Sequence, residues 1–227
     1  MGHRVRRPRL DLTGGVASSE RSVSSNRGVV TVAASQTLHR QQTIAETCTD
    51  AEVRCQVAVS ATATGGTLNA CVLARWTSST AHYRARLEFT TGGAVNVSVT
   101  NGSTIIGTNA PTGLTYAPGD VFEVRVRVIG YRILMRVWRA GTTEPILWHI
   151  DRTDVAGTNP SGAIGLSCHG GTGNSNGSVE YRFDSLLVES PQRVTVTRAV
   201  NDVSKPHAAG ARIGLAQPAR AACRREP

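Results

Sequence analysis

Two neighbouring strands of this chain carry residues that could hold an acidic ligand. Arg125 and Arg127 alternate with apolar residues along one predicted strand. Arg136 and Trp138 do the same along the next strand. In a β-hairpin this alternation puts all of these side chains on one face of the sheet. Because guanidinium groups bind carboxylates and phosphates and an indole ring stacks on a sugar, the pattern predicts a face that binds an acidic glycan; alternatively, Trp138 only covers the sheet beneath a loop.

A second candidate is the glycine-rich polar loop at residues 169–176, which contains Asn174. Loops at the end of a β-sandwich often carry its ligand-binding residues, since loops lie on the surface and tolerate variation. The same composition also occurs in loops that only connect two strands. We expect Asn174 to contact a ligand and keep the connecting role as the alternative.

The carboxylates, histidines and cysteines do not form a catalytic or metal-binding motif. Glycoside hydrolysis needs two carboxylates that flank the scissile bond, but the strand carboxylates Glu88, Glu123 and Glu180 are isolated from one another. The histidines and the five cysteines lack metal-ligand spacing. No Gly-x-Ser-x-Gly motif lies between a suitable strand and helix. We therefore expect a non-enzymatic protein with no catalytic residue, no metal ligand and no cofactor.

Short alternating strands are the elements that position these residues. Turn residues such as Thr91-Gly92-Gly93 and Asn101-Gly102 separate them, and no segment shows sustained helical periodicity. The predicted strands are residues 28–33, 52–60, 68–76, 83–89, 94–100, 121–129, 132–139, 146–150, 164–167, 179–183 and 185–188. This spacing is typical of an all-β protein, a two-sheet antiparallel β-sandwich or jelly roll. Its predicted core contains Phe122, Val124, Val126, Ile133, Met135, Val137, Leu166 and Phe183.

Charge is distributed unevenly along the 227 residues, with a formal net charge of +9. Arginines crowd both ends of the chain, while aromatic residues make up only 4% of it. Nucleic-acid binding is therefore not expected, because a compact basic patch with stacking aromatics is missing. No apolar stretch has the length of a signal peptide or a membrane span, so we expect no membrane insertion and synthesis in a cytoplasm.

Composition divides the chain into three parts. Residues 1–26 are predicted to be an irregular basic segment, and residues 27–190 the sandwich. Residues 191–227 form a C-terminal extension in which 193–200 and 212–215 could pair as a hairpin before a loose tail.

Several segments resemble the concanavalin A-like lectin/glucanase superfamily. These are NACVLARW and YRARL (residues 69–76 and 83–87), YAPGDVFEVRVRV (116–128), RVWRAGTTEPILW (136–148) and residues 162–166 followed by Phe183-Asp184. The resemblance covers about residues 29–189 and is greatest to versions of this domain in minor tail proteins of phages that infect actinobacteria. Residues 196–211 (VTRAVNDVSKPHAAGA) resemble a segment that follows such domains, and the chain departs from that pattern after Pro218.

The resemblance implies a virion tail component that is made in the host cytoplasm and whose sandwich binds a cell-surface glycan. Its implied partners are that glycan and other virion tail proteins; a homo-oligomer is left open, because no heptad repeat indicates one. One alternative is a carbohydrate-binding module of a cellular actinobacterial protein, located at the bacterial cell surface. A more distant alternative is a degenerate glycoside hydrolase.

Overall fold

Alternation of apolar and polar residues builds this protein almost entirely from β-strands. A computed structural model describes residues 17–33 and 39–189. These residues belong to the first of the two units into which the chain divides, Met1–Pro191 and Gln192–Pro227. After a 3-10 turn at Ser18–Glu20, the strands are β1 (Arg21–Ser24), β2 (Arg27–Val32), β3 (Arg40–Cys48), β4 (Ala51–Val59), β5 (Leu68–Trp76), β6 (Tyr83–Phe89), β7 (Ala94–Asn101), β8 (Thr104–Ile105), β9 (Ala110–Thr115), β10 (Phe122–Ile129), β11 (Arg132–Arg139), β12 (Ile150–Thr153), β13 (Gly162–Gly170) and β14 (Val179–Glu189). No helix in these two ranges is long and apolar enough to cross a membrane.

The first sheet contains the two strands of the predicted arginine face. Its order is β1-β2-β14-β4-β10-β11-β12, with every neighbouring pair antiparallel. The β10–β11 hairpin turns at Gly130, whose φ of +55° lies in the left-handed region that favours glycine. In its register Val126 faces Met135, and Arg125 faces Arg136. Since both apolar residues are buried, alternation leaves the arginines on the outer face of the sheet.

The second sheet has the order β3-β13-β5-β6-β7-β8, and β9 also pairs with β7. Its paired strands are likewise antiparallel. In this sheet β13 lies between β3 and β5, and in the first sheet β14 lies between β2 and β4. In both sheets, therefore, a strand from the end of the described chain lies between two strands from its beginning.

The inner faces of the two sheets form one hydrophobic core. Phe89 of β6 and Phe122 of β10 meet across it, with ring centroids 5.8 Å apart. All eight residues predicted to lie inside are buried: Phe122, Val124, Val126, Ile133, Met135, Val137, Leu166 and Phe183. The prediction of an all-β, two-sheet antiparallel sandwich is confirmed.

One predicted strand, residues 146–150, is wrong. Ile146 and Leu147 are 88% and 79% exposed, and β12 begins only at Ile150. The apolar run belongs to the loop between β11 and β12, where Trp148 packs against arginine side chains instead of entering a sheet. Residues 179–183 and 185–188, predicted as two strands, form the single strand β14 with an irregularity in its pairing to β4 after Asp184.

The structure also contains strands that the sequence pattern did not indicate. Strand β1 falls in the part of the chain predicted to be irregular, and β3 opens with Arg40, Gln41 and Gln42, which carry no apolar alternation. The short strands β8 and β9 were also missed. The predicted strands at residues 193–200 and 212–215 lie outside the described residues.

Val126→Asp tests the assignment of the inner face. Val126 is 1% exposed in the middle of β10, so an aspartate there would bury an unpaired carboxylate. We expect a loss of about 4 kcal/mol or more in the free energy of unfolding, measured by chemical denaturation. Val155→Asp is the matched control, since Val155 is 97% exposed in a loop, and its effect should stay within about 0.5 kcal/mol. Equal stability of the two variants would mean that the faces of β10 are reversed.

Candidate functional site

The predicted arginine face does assemble on the outer side of the first sheet. Arg125 lies directly across from Arg136 in the β10–β11 register, and Trp138 lies across from Glu123. Arg127 follows on the same side of β10. The sequence pattern therefore placed these residues together correctly. Their contact with a ligand stays a prediction.

Two glutamates form salt bridges with the arginines of this face. Glu52 of β4 is 5% exposed and forms salt bridges with Arg125 and Arg127. Burial alone would raise the pKa of Glu52, but hydrogen bonds from the two arginines hold it below its usual value. Glu144, in the loop after β11, forms salt bridges with Arg125 and Arg136. Each of the three arginines therefore already has a carboxylate partner within the protein.

A loop covers the same arginines. Trp148 lies over Arg136, with the guanidinium carbon 4.3 Å from the ring centroid, and within 5.8 Å of the guanidinium carbons of Arg125 and Arg127. Arg136 Nη1 also donates to the carbonyl of Pro145 at 2.7 Å. The indole of Trp148 therefore occupies the position over the arginines that a stacked ligand would need. Trp148 therefore covers this part of the sheet from a loop.

Asn174 lies apart from the arginines, in the glycine-rich loop between β13 and β14. Its Nδ2 donates to the carbonyls of Gly66 and Thr67 and to Asn176 Oδ1, and its Oδ1 accepts from the backbone of Asn176. A Cβ on Gly66 would lie 2.3 Å from the carbonyl oxygen of Thr172, so the two loops pack too closely for any other residue there. These bonds give Asn174 a structural role, and its contact with a ligand stays a prediction.

The outer face of the second sheet presents a different arrangement, which we name the polar face. Its polar residues alternate with core residues along the five strands β3, β13, β5, β6 and β7. They are His39 beside β3, Gln41 and Thr43 of β3, Ser167 and His169 of β13, Asn69 of β5, Arg84, Arg86 and Glu88 of β6, and Asn96, Ser98 and Thr100 of β7. Most are buried, although they point away from the hydrophobic core.

Two histidines meet at one end of the polar face. The rings of His39 and His169 lie with their centroids 3.7 Å apart. Asn69 Nδ2 lies 3.3 Å from His169 Nε2, and Asn69 Oδ1 accepts from Thr67 Oγ1. The amide thus donates to Nε2, which places the proton of neutral His169 on Nδ1. That Nδ1 and the Nδ1 of His39 are buried, and neither has a hydrogen-bond partner among residues 17–33 and 39–189.

Both histidines are neutral at physiological pH. Burial is the main cause that lowers the pKa of His169 to about 2, with smaller contributions from the charges of His39 and Arg84. Burial likewise lowers the pKa of His39 to about 4, helped by the charges of Arg84 and His82. The pair therefore offers ring nitrogens for hydrogen bonding and no positive charge.

A hydrogen-bonded network crosses the middle of the polar face. Arg86 Nε forms a salt bridge with Glu88 Oε1 at 2.8 Å, and Ser98 Oγ donates to the same oxygen at 2.9 Å. Asn109 Nδ2 donates to Glu88 Oε2 at 2.8 Å. Arg86 keeps 21% of its side chain exposed. Such an array of fixed donors and acceptors suits the hydroxyls of a sugar.

A β-bulge brings an aromatic residue to the edge of this face. In the pairing of β13 with β5, Ala163 lies opposite Trp76 and Gly165 lies opposite Leu73. Between these two pairs β13 advances by two residues and β5 by three, so β5 contains one extra residue. The extra residue lies at Arg75, whose φ is +52°. The bulge turns the half-buried Trp76 outward, where its Nε1 donates to Gln41 Oε1 at 3.1 Å. Trp76 is thus a ring that a sugar could stack on, a position that alternation alone would assign to the core.

Sequence reasoning missed the polar face for identifiable reasons. Glu88 appeared isolated, because its partners Arg86 and Ser98 are brought to it by alternation and strand pairing. The histidines appeared scattered, because His39 and His169 meet only through the pairing of β3 with β13. The signal that could have found the face is the Arg-x-Arg-x-Glu alternation of β6. No group of three or more His, Cys, Asp or Glu side chains able to hold a metal occurs in residues 17–33 and 39–189.

Solved structures share this fold, although no family model and no curated protein matches the chain. A carbohydrate-binding module (CBM66) from Bacillus subtilis matches with a TM-score of 0.54 at 12% sequence identity. The match covers 78% of this chain and 92% of the module. A legume lectin-like domain from Entamoeba histolytica has a TM-score of 0.55 at 12% identity, covering 80% and 90%. A β-glucanase from Bacillus licheniformis has a TM-score of 0.54 at 10% identity, covering 80% and 92%. Together they support the jelly-roll sandwich fold of lectin-like domains, binding modules and glucanases.

Glu52→Gln tests whether the first-sheet arginines depend on their internal partners. The substitution removes the negative charge that faces Arg125 and Arg127, so we expect a loss of roughly 2 kcal/mol in the free energy of unfolding in urea. Glu180→Gln is the control, because Glu180 pairs with Arg182 at the surface and should lose no more than about 0.5 kcal/mol. Equal effects of the two substitutions would show that the Glu52 network does not hold these arginines.

Acid should destabilise the protein through its buried histidines. The pKa values of His39, His82, His149 and His169 are all lowered by burial. Below about pH 6.5 the unfolded chain binds protons that the folded protein does not, so the free energy of unfolding falls as the pH drops towards 4. Glu52 and Glu144, whose usual pKa is 4.5, add to this loss only at lower pH. Calorimetry from pH 7.5 to 5 should show a falling melting temperature, less steeply in His169→Asn; a flat profile would contradict this.

Proposed function

We propose that this protein is a non-catalytic carbohydrate-binding module whose glycan lies on the polar face of the second sheet. The observation that carries the proposal is a set of buried polar side chains on an outer sheet face, where the Nδ1 atoms of His39 and His169 have no hydrogen-bond partner among the described residues. A buried polar group without a hydrogen bond costs about 1–3 kcal/mol. Sugar hydroxyls, which both donate and accept, would satisfy these groups.

The extent of the face indicates an oligosaccharide and not a single sugar. His169 pairs with Asn69, while Arg84 pairs with Leu73, four residues further along β5. At about 3.3 Å per residue, these two ends of the face lie roughly 13 Å apart along the strand direction. An extended glycan would contact the histidine pair at one end and the arginines at the other. Trp76 at the margin would stack on one of its rings.

The geometry around Glu88 favours binding over hydrolysis. Glycoside hydrolysis needs a carboxylate with access to the glycosidic oxygen, acting with a second carboxylate. Both oxygens of Glu88 already accept hydrogen bonds, from Arg86 and Ser98 on one side and from Asn109 on the other. Glu88 therefore serves as a fixed acceptor that orients its neighbours. The structural relatives include both binding modules and glucanases, so a degenerate hydrolase stays the alternative.

We place the module in the tail of a phage of actinobacteria, where it would contact a cell-surface glycan beside other tail proteins. The support for this context is the resemblance of residues 29–189 and 196–211 to minor tail proteins. The alternative is a binding module of a cellular actinobacterial protein. Tail and tape-measure genes next to the gene for this protein would favour the first; neighbouring metabolic genes would favour the second.

Binding to purified actinobacterial cell walls tests the glycan-binding function. A single shallow site should have a Kd on the order of 0.1–1 mM, so the full chain should be displayed in many copies to raise the avidity about 100-fold. We expect the parent to sediment with the walls, and His169→Ala to lose most of this binding. Trp138→Ala, on the outer face of the first sheet, should keep it.

Three outcomes separate the possible sites. Loss of binding in His169→Ala alone supports the polar face, provided that its melting temperature shows a folded protein. Loss in Trp138→Ala alone would return the ligand to the arginine face. No wall binding by the multivalent parent would rule out an adhesive module, and release of reducing sugar from β-glucan by the parent would favour the hydrolase.

A further inference from the structure

The polar face holds a buried positive charge that forms no salt bridge with a carboxylate of the described residues. The described strands of the second sheet carry four arginines. Three of them form salt bridges: Arg40 with Glu20 at 2.7 Å, Arg75 with Asp50 at 3.3 Å, and Arg86 with Glu88 at 2.8 Å. The fourth, Arg84, is 7% exposed, and its Nη2 donates to His82 Nε2 at 3.0 Å. Its Nε is buried and has no acceptor among the described residues.

His82 does not neutralise this charge. Its Nδ1 lies 3.0 Å from the carbonyl oxygen of Ser78 and therefore carries the proton that donates to it. Nε2 is then the acceptor for Arg84, as in a neutral imidazole. Burial lowers the pKa of His82, which keeps the ring neutral at physiological pH. The guanidinium of Arg84 is charged at any such pH, so its positive charge is left unmatched.

Four side-chain atoms of this face are buried without a hydrogen-bond partner among the described residues: His39 Nδ1, Arg84 Nε, Ser167 Oγ and His169 Nδ1. Of these, Arg84 Nε–H and the Nδ1–H of His169 are hydrogen-bond donors. A buried cation is unfavourable unless an anion faces it. Arg125, Arg127 and Arg136 of the first sheet differ from Arg84 in that each forms a salt bridge with Glu52 or Glu144, although Arg125 Nε and Arg136 Nε are also buried without partners among the described residues. A ligand rich in acceptors and carrying negative charge would complete the polar face.

We propose that Arg84 binds the anionic group of an acidic glycan, so that the polar face selects acidic over neutral polysaccharides. This inference rests on the proposed function, that a glycan occupies the polar face. The guanidinium fork of Arg84 suits either the carboxylate of a uronic acid or the phosphate of a phosphodiester-linked glycan. His169 and the network around Glu88 contact the neutral hydroxyls of the same chain.

Matched polysaccharides isolate the effect of the charge. Polygalacturonate and its fully methyl-esterified form share one backbone and differ only in the carboxylate. With the full chain we expect polygalacturonate to bind at least roughly tenfold more tightly, as a charge-assisted hydrogen bond predicts. Poly(glycerol phosphate) is the second anionic probe. Tighter binding to it than to polygalacturonate would identify phosphate as the preferred group, and the reverse would identify carboxylate.

Because the protein is basic, general attraction to polyanions has to be separated from the contact at Arg84. Arg84→Met should abolish the preference for the free acid. Arg152→Met removes the same charge from an exposed position on β12 of the other sheet and should leave the preference intact. Arg84→Lys keeps the charge but lacks the planar fork of parallel N–H donors, so it should bind the acid several-fold more weakly than the parent. Melting temperatures confirm that each variant is folded.

The two proposals can fail separately. If the parent binds acidic and neutral polymers equally, or if Arg84→Met and Arg84→Lys keep the preference as Arg152→Met does, the role of Arg84 is wrong while glycan binding stands. If the parent binds neither polysaccharide, nor poly(glycerol phosphate), nor cell walls, both the role of Arg84 and the proposed function are wrong.

Discussion

A charge buried on a β-strand has to meet an opposite charge, and this requirement separates the two outer faces of the sandwich. On the first sheet the requirement is met internally: Glu52 and Glu144 pair with the arginines, and Trp148 closes over them. On the second sheet Arg40, Arg75 and Arg86 form salt bridges, whereas Arg84 forms none with a carboxylate in the part of the chain that the structure describes. Both faces rest on the same core, so packing does not explain the difference. A buried charge without a partner, in a sheet whose other arginines form salt bridges, marks the place where a ligand is expected to bind.

The fold could be predicted wherever residues adjacent in sequence are also adjacent in space. The hairpin of β10 and β11 and strands β5 and β6 follow from alternation alone, and their bounds agree with the pattern to within a residue. Alternation fails in β3, because Arg40 and Gln42 occupy the positions that pair with the core residues Cys168 and Leu166, and polar residues at both inner and outer positions leave no contrast. It also fails for Trp148, whose apolar neighbours suggested a strand although the ring packs on guanidinium groups in a loop.

The candidate site was harder to predict than the fold, because partners on distant strands decide what a polar residue does. Arg125 and Arg136 were rightly placed together, yet only the pairing of β4 with β10 reveals Glu52 beside them. Arg84 was not singled out from the sequence. It differs from the other arginines of its sheet in forming no salt bridge with a carboxylate of the described residues, and that difference depends on the fold. The glycines of the loop around Asn174 suggested ligand contact, whereas they permit close packing against Gly65 and Gly66.

The interior positions of β13 and β14 mean that neither sheet can form completely until late in the synthesis of the protein. A ribosome delivers β2, β3, β4 and β5 long before the strands that join them, so the native pairings of both sheets span most of the described chain. Folds dominated by such distant contacts fold slowly, in milliseconds to seconds. Until Glu189 has emerged, the nascent polypeptide exposes unpaired strand edges in the middle of each sheet, which invite pairing with a second copy. Only after β14 has been translated can both sheets form from the strands of one molecule, which excludes pairing with a second copy.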